Sequence, residues 1–308
     1  MTHGDEPKAE PAQREAPAWW ASGPVSGMAC MLVATALFAT MQLLIRIAGE
    51  NVPAVEISFW RSFFGLLIQL PVLWWLGLAS LRTTRLALHG WRGFLHAVSM
   101  MLWFVALMEI PLAEATALEF ASPIMATTLA ILFLGEAVRV RRIVALCAGV
   151  VGVLLAVRPG FQEVSMGQVL ALASVALWAA CQLIIRELGR TETSFTQGFY
   201  MVLFFTPITL VSSLPVWVWP GASDLLLLFV VGVVATAGTW FYGEAFRRAE
   251  MGAILPLEST KLLWSVAYGY VFFAEDPLLL TLLGGVIIFG AAVYITLREA
   301  RLSRLRKT

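Results

Sequence analysis

Four ionisable side chains stand inside long apolar runs: Arg61, Glu119, Glu258 and Lys261. A charge at the centre of a bilayer span costs about 2.5 to 3.5 kcal/mol on insertion scales, so such groups mark a cavity, a partner or a pathway. The carboxyls can accept hydrogen bonds or carry protons, and the two cations can hold an anionic group. Lys261 follows Glu258 by three positions, the spacing of one helix face. Arg61 and Glu119 each lie about seven residues into their runs, which puts them at matching depth. A solute with both charge signs would satisfy this set, whereas a purely apolar one would leave buried charges unpaired. Protonated packing carboxyls and structural ion pairs are the competing readings.

Further polar and aromatic candidates surround these charges. Gln42 and Gln182 offer amide donors and acceptors, either to a pathway or as interhelical glue. His96, a lone imidazole, either relays protons together with Glu119 and Glu258 or donates to a neighbouring helix. Trp103 and Trp240, with Trp60, Trp178 and Trp264, supply either an aromatic wall for a planar or cationic group or simple packing. Pro123 and Pro256 stand beside the two acids, where each can free a backbone carbonyl. Enzyme chemistry finds no purchase: HExxH, GxSxG and GxxxxGK[ST] are absent, and His3, His89 and His96 form no ligand cluster. Cys30, Cys147 and Cys181 sit singly in apolar stretches, so no metal and no cofactor is expected.

The elements that position these residues follow from composition. Of 308 residues, 59% are apolar and 13% charged, with mean hydropathy +0.82. That is too little polar surface for a soluble globule, and the net charge of +1 gives no reason to expect nucleic acid as a partner. At about 20 residues per span, the apolar content suffices for about ten membrane helices. The strict alternation of a β-barrel is missing. Uncharged runs place spans at 27–48, 54–77, 90–108, 112–134, 142–157, 167–188, 195–214, 224–246, 252–273 and 277–297. If the N-terminus is cytoplasmic, 17 of the 21 basic residues fall on the cytoplasmic side, Arg92 among them. Both termini are then inside. The segment 1–26 reads as a flexible cytoplasmic tail without the charge order of a cleaved signal, and 298–308 as a basic cytoplasmic tail.

Self-comparison shows a duplication. The stretch from Gly27 to Gly49 recurs from Gly167 to Gly189 with 10 of 23 positions identical, Gln42 matching Gln182. With one residue less of offset, Glu119 matches Glu258 and Glu136 matches Glu275. Arg61 is matched by Met201 and Lys261 by Ser122, so neither cation is repeated. Repeats over 27–158 and 167–297, each of five spans, enter the membrane from opposite sides. The fold class is therefore all-α, with ten transmembrane helices in two inverted five-helix repeats. The small residues Ala145/Gly149 and Gly152/Ala156 suit close packing, either between halves or between subunits.

The two five-helix halves, Leu134-Gly135-Glu136 closing the fourth span, the arginines after it and the run from Gly149 to Gly160 resemble the drug/metabolite transporter superfamily, in its EamA branch. The second half departs from the motif, with Phe273-Ala274-Glu275 in place of LGE. The resemblance implies a multi-pass protein of the cytoplasmic membrane that moves a small molecule, whose partners are that solute and membrane lipids, as a monomer or homodimer. With no nucleotide site, the expectation is a secondary carrier for an amino-acid-like zwitterion, working by alternating access, proton-coupled, with export preferred. The alternatives are an uptake carrier for a cofactor or nucleoside-type metabolite, and a non-transporting scaffold.

The orientation has a direct check. In a variant lacking Cys30, Cys147 and Cys181, a cysteine at Ser223 is expected to react with an impermeant reagent on intact cells, and one at Ser303 is not. The reverse pattern would invert the topology.

Overall fold

Lipid offers backbone amides no hydrogen-bond partner, so an apolar chain that crosses it must satisfy them internally, and helices do this within each segment. The computed structural model describes residues 24–122, 124–126, 128–129, 140–157, 163–188, 191–249, 254 and 257–305, and the described residues contain no strand. The α-helices are α1 (Pro24–Ala48), α2 (Ala54–Leu76), α3 (Leu86–Glu109), α4 (Leu112–Glu119), α5 (Val140–Val157), α6 (Met166–Leu188), α7 (Ser194–Ser213), α8 (Ala222–Arg248), α9 (Thr260–Phe273) and α10 (Leu279–Leu305). Six of them, α1 to α3 and α6 to α8, are long and apolar enough to cross a membrane. They are the first three helices of each repeat.

Of the other four elements, α5 and α10 cover the spans expected at 142–157 and 277–297, while α4 and α9 are shorter than expected. α4 runs for eight residues, about 12 Å at 1.5 Å per residue against a hydrocarbon core of about 30 Å. It stops at Glu119, with a turn at Phe120 and Ala121 before helical backbone resumes at Ser122. In the second repeat, Leu257 and Glu258 are helical, Ser259 turns, and α9 begins at Thr260 rather than 252. Both breaks directly follow the repeat-matched acids. Pro123, Pro256 and the Leu134-Gly135-Glu136 motif lie outside the described residues.

Helix directions alternate along the chain. α1 meets α8 antiparallel, with Gly27 against Ala249 and Phe38 against Gly238. α1 and α9 run parallel: Thr35 bonds Thr260, Thr40 bonds Tyr268, and Arg46 pairs with Glu275. α3 and α7 are parallel, and α3 and α6 antiparallel. The most extensive packing joins the halves: α1 with α8, α3 with α6, and α5 with α10. The first two pairs are repeat counterparts of each other, and the third is its own counterpart.

α5 and α10 cross on backbone. Gly152, Ala156 and Gly284 leave so little room that a Cβ at Gly284 would lie 2.6 Å from the Gly152 carbonyl oxygen and 2.9 Å from the Ala156 nitrogen. The small residues of α5 therefore serve packing between halves. A Cβ here meets backbone, which cannot rotate aside, so Gly284→Ala is expected to cost about 1–3 kcal/mol. Thermal unfolding of the detergent-solubilised protein should show it, with Gly290→Ala, which faces open space, as the silent control.

Candidate functional site

The break after α4 leaves Glu119 at a helix end facing the start of α9. Lys261 Nζ lies 2.8 and 2.6 Å from its two carboxylate oxygens. Gln42 Nε2 on α1 donates to the same carboxylate at 3.1 Å, and Gln42 Oε1 accepts from Thr116, one turn before Glu119. Thr116 has a second partner in Ser265 of α9, at 2.7 Å. The Lys261 ammonium also sits 5.7 Å from the centre of the Phe38 ring, within cation–π range. Three helices from both halves thus converge on one ion pair. The Lys261 side chain is 8% exposed and that of Glu119 35%, so Glu119 is the member open to a ligand.

Lys261 and Glu258 do not share a helix face as their spacing suggested. The turn at Ser259 rotates them apart: Lys261 reaches across to α4, while Glu258 Oε1 accepts from Tyr242 OH of α8 at 3.2 Å. Among the described residues Glu258 has no ion-pair partner. Glu258 and Tyr242 are both partly buried. Phe38 meets the Tyr242 ring edge-on at 6.0 Å and connects the two acids.

The remaining expectations separate. Gln182 Nε2 donates to Ser122, which is the repeat counterpart of Lys261, at 2.9 Å. Trp103 is partly buried against the central apolar cluster of Ile45, Phe104 and Leu107. The buried stripe of α8 runs through Val231, Ala235 and Gly238, and Trp240 lies toward the exposed side of α8, against Phe241. His96 is buried between Trp178 and Phe205 with no hydrogen bond to either ring nitrogen. Arg61 reaches the Met100 sulfur at 3.2 Å. Arg92, counted above among cytoplasmic cations, is instead buried in α3, which begins four residues earlier than expected, and donates to the Gln197 carbonyl at 2.9 Å. Tyr242 and Thr116 escaped the sequence reading. Thr116 had a usable signal in its i, i+3 spacing to Glu119, while Tyr242 meets Glu258 only through tertiary packing.

One end of this assembly is closed by Glu275. Ala274 takes a left-handed conformation, φ 52°, that stops α9, and the Glu275 amide donates back to the Gly269 carbonyl at 3.0 Å. The carboxylate then accepts from the Leu112 amide at the start of α4 and pairs with Arg46, whose guanidinium lies over Phe273. A small pocket lined by Glu114, Glu275, Asp276 and Thr281 opens beside it.

Comparison with known proteins places this geometry in context. Residues 25–158 and 165–297 each match the model of the EamA-like transporter family. A riboflavin transporter of Brucella anthropi is 28% identical, over 89% of this chain and 99% of its own. An S-adenosylmethionine uptake transporter of Rickettsia felis is 27% identical, over 90% and 94%. A pseudopaline exporter of Pseudomonas aeruginosa is 29% identical, over 88% and 96%.

Removing one member of a buried pair strands the other, at about 3–5 kcal/mol when both are fully enclosed. With Glu119 partly open, Lys261→Met is expected to lose about 2–3 kcal/mol. Lys261→Met combined with Glu119→Gln should recover much of that loss, because no lone charge remains. Melting temperatures of the two variants decide it. A double variant less stable than the single would show that Glu119 does not depend on Lys261 for its charge balance.

Proposed function

The chain belongs to the EamA-like transporter family, and from that premise we propose that it is a secondary carrier of a small polar metabolite carrying both charge signs, with the region around Glu119 and Glu258 as its solute site. The observation that carries this reading is the pair of helix breaks at repeat-matched acids. Interrupted helices at corresponding positions free polar groups near the bilayer midplane, where transporters bind their cargo. Glu258 and Tyr242 can receive the ammonium of an amino-acid-like solute, and Phe38 and Trp103 can flank a planar or apolar body. S-adenosylmethionine, named for one relative, combines an amino-acid head with a planar base, which fits that description.

A buried carboxyl without a cationic partner can exchange a proton with little rearrangement, so Glu258 is proposed to couple solute movement to protons. Lys261 is bound to Glu119 while Glu258 has a tyrosine hydroxyl as its partner, leaving the two acids unlike roles. The packing of one half against the other supports alternating access, in which rocking would expose a shared site to each side in turn. Export is the proposed direction, supported by the exporter among the relatives, and uptake is the second reading, supported by the S-adenosylmethionine carrier.

In proteoliposomes, an imposed pH gradient is expected to drive counterflow of radiolabelled amino-acid-like solutes, S-adenosylmethionine included. Glu258→Gln should remove the gradient dependence and cut flux by about tenfold or more, while leaving the melting temperature within a few degrees of the original. Flux indifferent to the gradient would sink proton coupling. Full flux in both Glu119→Gln and Glu258→Gln would remove the acids from the site.

A further inference from the structure

Resting on the carrier reading above, we propose that Arg61, beside His96, receives the anionic group of the solute, a carboxylate, and that Lys261 does not. The two cations differ in what they already hold. Lys261 is committed to both oxygens of Glu119. Arg61 has five N–H donors, yet among the described residues its hydrogen bond goes to the sulfur of Met100, a weak acceptor, and its Nε has no partner. It has no carboxylate partner among them either. Arg61 is only partly buried as a whole, while its Nε is buried and unpartnered.

The surroundings are arranged for negative charge. His96 is less than one-tenth exposed, has no hydrogen bond at either ring nitrogen, and lies within electrostatic reach of both Arg61 and Arg92. The groups facing this wedge from neighbouring helices are Ser174 and Trp178 on α6 and Gln197, Met201 and Phe205 on α7, with no acid among them. Two guanidiniums and an idle imbalance of donors in a low dielectric are costly unless an anion arrives. A neutral imidazole can add one N–H donor to a carboxylate held by the Arg61 fork. Met100 belongs to the same apolar cluster as Phe38 and Trp103, so the cation and the acids border one body of packing, with unlike charges on its two sides. The site also breaks the repeat: the second half holds Met201 where the first holds Arg61.

The probe is a bare carboxylate. Purified protein in detergent is titrated with sodium acetate, sodium chloride at equal ionic strength, and acetamide as the uncharged shape match, reading the melting temperature and the fluorescence of tryptophan, since Trp178 adjoins His96. Expected is a saturable shift with acetate, none with acetamide, and a much weaker one with chloride. Arg61→Met should weaken acetate by about tenfold or more, and methionine is the residue the other half accepts there. Arg61→Gln serves as a second variant should the first not fold. His96→Phe should weaken acetate less. An equal response to chloride would make this a site for a free inorganic anion and overturn the assignment. So would an acetate response that survives Arg61→Met, one lost instead in Lys261→Met, or no response at all. Those failures would leave gradient-driven flux standing, whereas intact acetate binding without flux would strike the carrier reading alone.

Discussion

An ammonium cannot stand alone among apolar helices, and the contact that relieves Lys261 is the one around which the interior is organised. Glu119 can reach it only because α4 ends at that residue, and Lys261 is presented only because α9 starts one residue before it. Gln42 and Thr116 complete the carboxylate's and the amide's hydrogen bonds, which draws α1 into the same junction. Two interrupted helices and one continuous one are therefore held together by polar contacts from both halves. The apolar packing beyond them is generic by comparison.

The duplication and the charges were legible in the sequence because both are properties of single residues and of spacing. Gln42 and Gln182 match in type, and each indeed bonds a residue of the fourth segment, Glu119 in one case and Ser122 in the other. What the sequence hid was any relation that depends on a local break. Lys261 and Glu258, three apart, would share a face on an unbroken helix, and the turn at Ser259 sends them to different partners. The position of Trp240 on α8 was hidden for another reason. The hydrophobicity of α8 is nearly uniform around its circumference, so nothing in composition separates its lipid side from its packed side. Arg92 misled because a charge near the end of an apolar run reads as a loop residue, whereas here a carbonyl and a methionine sulfur take it into the fold.

Two kinds of residue thus coexist on one duplicated frame. Those matched between repeats include the acids after which the helices break. Those matched by something apolar or small, Arg61 by Met201 and Lys261 by Ser122, break the symmetry of the frame. A symmetric site would bind a solute equally well either way round. In the reading proposed above, the unrepeated cations would decide which end of the solute meets which half.

The backbone contact between α5 and α10 has a mechanical meaning in such a frame. These helices are each other's counterpart, so the α5–α10 pair as a whole maps onto itself when the repeats are exchanged. Any motion that interchanges the roles of the halves must exchange the α1–α8 and α3–α6 contacts, while this pair exchanges only with itself. The backbones touch there, with the Ile288 side chain against Gly152 and the Ala156 Cβ beside Gly284, so a side chain grown from either glycine would wedge the two helices apart. If the halves rock as proposed, that crossing is their fulcrum.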